Sequence, residues 1–223
     1  MVQLNYPTSV FVSENGEVYI SDYLNNRVRK VLQNGNIVTI AGNGKLGCSG
    51  DGGLAINAEL NCPMNVFVFN EEVYITDSAN HRIRKVSKSG IIETIAGNGN
   101  EGFSGDDGLA TQAQLNCPMS TFVNSNGEIY ITDSNNFRIR KVQRNGIIKT
   151  IAGNGNDGFE GDGSSATNAQ LNYPMHVFVS SNDEMYISDS GNNAIRKVSR
   201  NGIIETVAGE GPYSQGYSGD VSF

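Results

Sequence analysis

Apolar and polar residues alternate along this chain in short runs separated by turn-forming residues. "STFVNS" (120–125), "EIYITD" (128–133), "FRIRKV" (137–142) and "IIKTIAG" (147–153) are rich in β-branched and aromatic residues and bounded by Asn, Gly or Ser. This pattern predicts four consecutive strands. "NSNGE" and "QRNGI" place Asn-Gly between neighbours, a pair that populates the positive φ angles of tight hairpins, so the strands are expected to form an antiparallel meander. "GNGNEGFSGDDGLATQAQLNCPM" (97–119) follows and is too long for a hairpin. Its glycines permit sharp turns. Asp106 or Asp107 is expected to cap one or two helical turns through "GLATQAQL", with Leu109, Ala113 and Leu115 facing inward.

The same unit fills the chain. "DYLNNRVRKV", "DSANHRIRKV", "DSNNFRIRKV" and "DSGNNAIRKV" open at Asp22, Asp77, Asp133 and Asp189, in steps of 55, 56 and 56 residues. Pro7, Pro63, Pro118 and Pro174 keep that interval, as do Gly42, Gly97, Gly153 and Gly209. Four-stranded sheets repeated at this period and joined by crossovers are the sequence form of a β-propeller with one blade per repeat. The expected organisation is all-β: one array over residues 1–223, with blades near 4–44, 60–99, 115–155 and 171–211.

The recurring elements are Leu-Asn-x-Pro in all four repeats, "NGE[V/I]YI[S/T]D" in two, and "NxR[V/I]RKV" and "IAGNG" in three each. Together they resemble the NHL-repeat propellers over all four repeats. That resemblance implies wedge-shaped blades around a central channel, most often six, in a binding platform that is usually not an enzyme. The family's usual Gly-Val-Ala-Val innermost strand is replaced here by "SVFV", "NVFV", "STFV" and "HVFV". Phe11, Phe67, Phe122 and Phe178 therefore thicken the region near the axis, and a six-fold ring does not simply carry over.

Charge changes the picture in one respect. Sixteen Lys+Arg stand against 23 Asp+Glu, a net charge of −7, which opposes attraction to phosphate backbones. Eleven of those 16 cations fall in the third-strand slot: Arg27, Arg29, Lys30, Arg82, Arg84, Lys85, Arg138, Arg140, Lys141, Arg196 and Lys197. A slot repeated in every blade is spread around a ring rather than focused on one site. The expected role is structural, with arginine stems along the seams and guanidinium groups paired to Asp22, Asp77, Asp133 and Asp189. The second arginine (Arg29, Arg84, Arg140, Arg196) recurs in all four repeats, whereas the first becomes Ala194. That makes the second the expected partner of the aspartate.

Signals of chemistry are sparse. Cys48 aligns with Phe103, Phe159 and Tyr217, and Cys62 and Cys117 align with Tyr6 and Tyr173. All three cysteines read as small buried hydrophobes, a Cys48–Cys62 bridge being the lesser alternative. The two histidines, His81 and His176, read as exposed loop residues and are too few for a three-imidazole metal site. No Gly-x-Ser-x-Gly elbow occurs, and no motif calls for a cofactor. "GNGNDGFEGDG" (153–163) gathers Asn154, Asn156, Asp157, Glu160 and Asp162, oxygen donors that keep calcium as an alternative. Their spacing is not that of an EF-hand, and Asn and Asp beside Gly are also what turns select.

Function then rests on the positions that vary between blades. The loops after the second strands offer Tyr23, Asn26, His81, Phe137 and Asn193, and the inner strands offer Ser9, Asn65, Ser120 and His176 at the channel mouth. The expectation is a non-catalytic scaffold that binds a protein or peptide, without nucleic-acid or membrane partners. A channel-site lyase or hydrolase is the alternative from another class. No apolar run approaches the roughly 18 residues of a membrane helix, the start "MVQLNYPTSV" has no signal-peptide pattern, and nothing in the sequence gives a cellular address. The chain runs from one crossover-like segment, "VQLNYP", to another, "GYSGDVSF", so each blade is expected to be built from consecutive strands. Four blades then close by packing alone, belong to a longer array, or leave apolar flanks on the end blades, around Val10, Val12, Ile187 and Ile195, that drive pairing of the chain with itself to complete a larger ring, which is the expectation.

Overall fold

The computed structural model describes residues 3–212 and Gly216. Blade 1 consists of β1 (Pro7–Val12), β2 (Val18–Asp22), β3 (Arg27–Val31) and β4 (Ile37–Ala41), and blade 2 of β5 (Pro63–Phe69), β6 (Glu72–Asp77), β7 (Arg82–Val86) and β8 (Ile92–Ala96). A two-residue strand, β9 (Gly108–Leu109), precedes blade 3, which is β10 (Pro118–Val123), β11 (Ile129–Asp133), β12 (Arg138–Val142) and β13 (Ile147–Ala152). Blade 4 is β14 (Pro174–Val179), β15 (Met185–Asp189), β16 (Ala194–Val198) and β17 (Ile204–Ala208). Within each blade the strands pair antiparallel in chain order, and β9 adds to the outer edge of blade 3. This is an all-β propeller of four-stranded blades. Among the described residues no helix is long and apolar enough to cross a membrane.

The hairpins differ in detail from the Asn-Gly expectation. Only the glycine takes a positive φ, as at Gly127 (+77°) and Gly146 (+80°). Each closes a type I turn as the following left-handed residue rather than as half of a two-residue loop. The first hairpin of blade 2 lacks that glycine, and there Asn70 and Glu71 both adopt positive φ, the backbone of a two-residue turn, while in the first hairpin of blade 4 Asp183 takes the glycine's place at +63°.

The crossovers contain one 3₁₀ turn instead of a capped α-helical segment. In the second crossover it spans Ala110–Gln112 with no side-chain cap. Asp106 is drawn away to Arg140, and Leu109, paired at the sheet edge with Ile147, is exposed rather than inward, while Ala110, Ala113 and Leu115 are buried. Gly105 permits this path: a Cβ there would lie 2.7 Å from the Ala113 backbone. The crossover ties two blades together, because Gly97 and Asn98 donate to the Ala110 and Ala113 carbonyls while Asp107 and Ala110 donate to Ile148 and Gly146 of the next blade.

The core lies in the seams. Tyr19, Val28 and Ala41 of blade 1 pack on Val66, Ile75 and Ile92 of blade 2. Tyr130, Ile139 and Ala152 of blade 3 likewise pack on Val177, Ile187 and Ile204 of blade 4. All three cysteines are free; Cys62 and Cys117 are half-buried, but Cys48 is exposed rather than an interior hydrophobe.

Each of the last three blades holds a fully buried arginine between two aspartates. Arg84 contacts Asp77 at 3.3 Å and Asp51 at 2.8 Å, Arg140 contacts Asp133 at 3.3 Å and Asp106 at 2.8 Å, and Arg196 contacts Asp189 at 3.2 Å and Asp162 at 2.7 Å. The first aspartate of each pair also receives the backbone N–H of Asn61, Asn116 or Asn172 and the amide of Asn80, Asn136 or Asn192. Burial pushes the Asp77 and Asp133 carboxyls up to about 6 against the pull of these donors. The first arginine of the slot contributes less. Arg138 donates to the Asn136 and Asn154 carbonyls and stacks over Phe103 at 3.7 Å. Replacing Arg140 by Met strands the Asp133 carboxylate in the interior and should cost about 3–5 kcal/mol. Arg138→Ala, which releases carbonyls near water, should cost about 1 kcal/mol. Urea unfolding of both variants checks the ranking; equal losses would contradict it.

Candidate functional site

The inner strands β1, β5, β10 and β14 converge on a concave trough of about 520 Å³. Its lining repeats by blade, because strands of equal register place equivalent side chains at equal depth. Thr8, Met64, Met119 and Met175 form one tier, Ser9, Asn65, Ser120 and His176 a second, and the four phenylalanines a third. The phenyl rings stack in series: Phe11 to Phe67 at 5.0 Å, Phe67 to Phe122 at 5.0 Å and Phe122 to Phe178 at 5.2 Å. The methionines were not among the residues singled out from the sequence; the signal was Pro-Met in three of the four repeats.

The polar tier is built into the scaffold more than the sequence suggests. Ser9 Oγ accepts the Asn65 amide and the Val66 backbone N–H, and Asn65 Oδ1 accepts the Thr121 N–H at 3.1 Å. Asn65 and Ser120 are buried, while His176 stands exposed at the end of the row. His176 lies on the inner strand β14, and its protein surroundings lower its pKa by desolvation.

The loop face is separate from the trough. Asn26, His81, Phe137 and Asn193 each end a 3₁₀ turn in the left-handed conformation. Asn26 Oδ1 accepts the Cys62 N–H and His81 Nδ1 accepts the Cys117 N–H, both at 3.1 Å. Phe137 packs edge-on against Tyr173 at 5.3 Å, and Tyr23 lies 5.8 Å from Tyr6. Asn26 is buried and Tyr23, His81 and Phe137 are half-buried at or beside the seams, whereas Asn193 is exposed. His81 is therefore a seam acceptor rather than an exposed loop residue.

Two of the oxygen donors of 153–163, Asn154 and Asp162, are engaged by the protein itself. Asn154 Oδ1 accepts the Asn156 N–H, and the Asp162 carboxylate takes Arg196 and the Thr206 N–H. Among the described residues no three His, Cys, Asp or Glu side chains are grouped to hold a metal ion.

A family model described as Teneurin NHL domain matches residues 1–87, 98–160 and 155–217. Teneurin-1 of Gallus gallus is 30% identical over 225 residues, covering 89% of this chain; the chain spans 8% of that relative's length. A Bacteroides thetaiotaomicron structural genomics protein of unknown function superposes with a TM-score of 0.69 at 21% identity, covering 90% of this chain and 48% of its own. Virginiamycin B lyase from Staphylococcus aureus superposes at 0.58 and 20% identity, covering 90% and 54%. At these identities the two structures share the fold.

The His81 seam carries a pH dependence. Burial lowers the pKa of this imidazole, and protonation would abolish its role as acceptor for Cys117. The unfolded chain then binds the proton more readily than the folded one, so the contribution is complete above the ordinary value near 6.5 and is lost as pH falls through the lower folded value. His81→Asn restores the acceptor found at Asn26 without a titrating group. The stability of the unsubstituted protein relative to His81→Asn should therefore fall between about pH 7.5 and about pH 5, measured by urea midpoints. A constant difference would contradict the assignment.

Proposed function

We propose, because the chain belongs to the teneurin NHL-domain family, that it is a non-catalytic module binding a protein or peptide partner, assembled with further blades into a larger ring. The observation that carries this reading is the character of the trough. Three methionines and four phenyl rings dominate it, and His176 is the one titratable side chain among its described lining residues. Flexible thioethers and exposed ring edges suit apolar side chains of varied shape. An extended peptide lying along the inner strands would bury such side chains between the Met and Phe tiers and meet the Ser9–Asn65–Ser120–His176 row with its backbone.

Loop residues play the secondary part in this reading. Tyr23, Asn26, His81 and Phe137 are engaged at or beside the seams, which leaves less of each for a ligand. Selection from a displayed peptide library tests the assignment. Peptides enriched on the protein should lose about tenfold or more in affinity against Met119→Glu, the size of a lost apolar anchor, and keep their affinity against Phe137→Ala. Loss with Phe137→Ala alone would move the site to the loop face. A turnover found in a substrate screen and abolished by His176→Ala would overturn the non-catalytic reading in favour of a channel-site enzyme.

A further inference from the structure

Every blade carries one cross-strand row made of a phenylalanine, a tyrosine, a lysine and a variable fourth residue. In blade 2 the row is Phe67, Tyr74, Lys85 and Glu93, and in blade 4 it is Phe178, Tyr186, Lys197 and Glu205. Lys85 Nζ lies 3.2 Å from Glu72 and 3.1 Å from Glu93, and Lys197 Nζ lies 3.7 Å from Glu184 and 2.6 Å from Glu205. Each of these lysines is held by two carboxylates. Blade 3 breaks the pattern. Lys141 keeps Glu128 at 2.8 Å, but the residue opposite it on the fourth strand is a second lysine, Lys149. Like charges placed directly opposite destabilise an antiparallel pair, and Lys149 forms no ion pair among the described residues. It is nevertheless half-buried, whereas Val38, Glu93 and Glu205 in the same slot are exposed.

Lys149 lines a cavity of about 560 Å³ in the seam between blades 3 and 4, with walls from both. The floor is apolar. Tyr130 and Ile151 come from blade 3, and Val179, Met185 and Val198, all buried, come from blade 4. Met185 stands where the other blades have Val18, Val73 and Ile129, and an unbranched thioether adapts to irregular shapes better than a branched side chain. The rim is polar and carries Lys141 and Arg200 beside Lys149, against Glu128 and Asp183. Glu128 is taken by Lys141, and Asp183 stands 3.9 Å from Arg200 at the surface. Three cations therefore face two carboxylates, and the uncompensated charge is that of Lys149. A concave apolar floor with a few convergent polar groups is the character of a small-molecule site. A local rule broken in one repeat and kept in its neighbours is what a functional site produces, since folding alone favours the glutamate.

We propose that this seam binds a small organic acid through a single carboxylate, with Lys149 as its counter-ion and the apolar body of the acid against Tyr130 and Met185. One uncompensated cation matches one negative charge. A phosphate group would bring closer to two charges and would leave the floor uncovered, so the cavity favours a carboxylate on an apolar body. The ammonium of Lys149 can turn its three donors toward the carboxylate on a flexible stem, and hydrogen bonds with both partners charged are the strong ones. A net charge of −7 on the chain disfavours anions elsewhere, which confines the attraction to this local excess of cations. The cavity shares no lining residue with the trough of the inner strands, so this inference stands apart from the peptide reading of that trough. A bound acid would join β13 of blade 3 to β15 of blade 4.

Calorimetric titration of the full 223-residue chain with hexanoate, 4-phenylbutyrate and indole-3-acetate, each beside its neutral amide, tests the site. At least one acid should bind, one per chain, and its amide should not. Lys149→Met should weaken that acid about tenfold or more, the size of one lost hydrogen bond to a charged group. Lys45→Met, which removes an equal charge from an exposed position of the first crossover, should leave the affinity unchanged. Without ligand, Lys149→Glu should raise the melting temperature by about 1–4 °C, because it restores the paired carboxylates that hold Lys85 and Lys197, and it should abolish acid binding. A lower melting temperature for Lys149→Glu would make the lysine part of the scaffold and overturn the proposal. Failure of all the acids to bind, equal binding of acid and amide, or an equal loss with Lys45→Met would overturn it as well. Inorganic phosphate binding as tightly as the best acid would show a general anion patch and overturn the assignment to an organic acid.

Discussion

The buried arginine held between two aspartates is the constraint on which the rest of this structure depends. Arg84, Arg140 and Arg196 have no solvent exposure, and neither do Asp77, Asp133 and Asp189. Removing such charges from water costs several kcal/mol per ion, so the arrangement persists only if nearly every donor and lone pair is occupied. That requirement fixes three elements at once. The aspartate ends the second strand, the arginine sits in the third, and the second carboxylate comes from the crossover, 33 or 34 residues earlier in the chain. A planar guanidinium addresses both carboxylates through a rigid fork of donors and so fixes their directions, where an ammonium is a compact point charge on a flexible stem. The crossover is thus held against the blade by a directional contact as well as by its apolar turn.

A scaffold organised in this way is nearly one-dimensional. Each blade completes its core only with a neighbour, so stability resides in the seams. Many repeat proteins close the problem with terminal units whose outer face is polar. Here the outward residues of the end flanks remain Val10, Val12, Phe178, Ile195 and Val207, all exposed. The exposed Ser190 makes the same point from the polar side, since its counterparts Ser78 and Ser134 are buried.

Much of this was legible in the sequence, for a physical reason. Strands alternate with period two and turns need particular residues, so four copies of one pattern reinforce one another and the blades, their order and the Asp–Arg pairing can be read directly. The crossover could not be read so well. "GLATQAQL" has helix-forming composition, but Leu109 is taken by the sheet edge and Asp106 by Arg140, both tertiary claims that local propensity does not contain. Cys48 misled for a related reason, because it aligns with rings that cover arginines, as Phe103 covers Arg138 and Phe159 covers Arg196. A thiol in that slot has too little area to bury itself. At the candidate site the variable residues were visible, but their roles were not: the hydrogen bonds of Asn26, His81 and Asn65 cross between blades, and only the ring places the partners together.

That crossing links binding to assembly. Ser9 and Asn65 each accept hydrogen bonds across a seam while lining the trough, so a ligand that competes for those oxygens also pulls on the contact between two blades. Ser120 Oγ, by contrast, has no partner among the described residues, so this obligation falls on Ser9 and Asn65. The methionine and phenylalanine tiers carry no such obligation, since apolar contact is non-directional. Specificity in this trough is therefore expected to be set by the apolar tiers, with the polar row holding the blades in register.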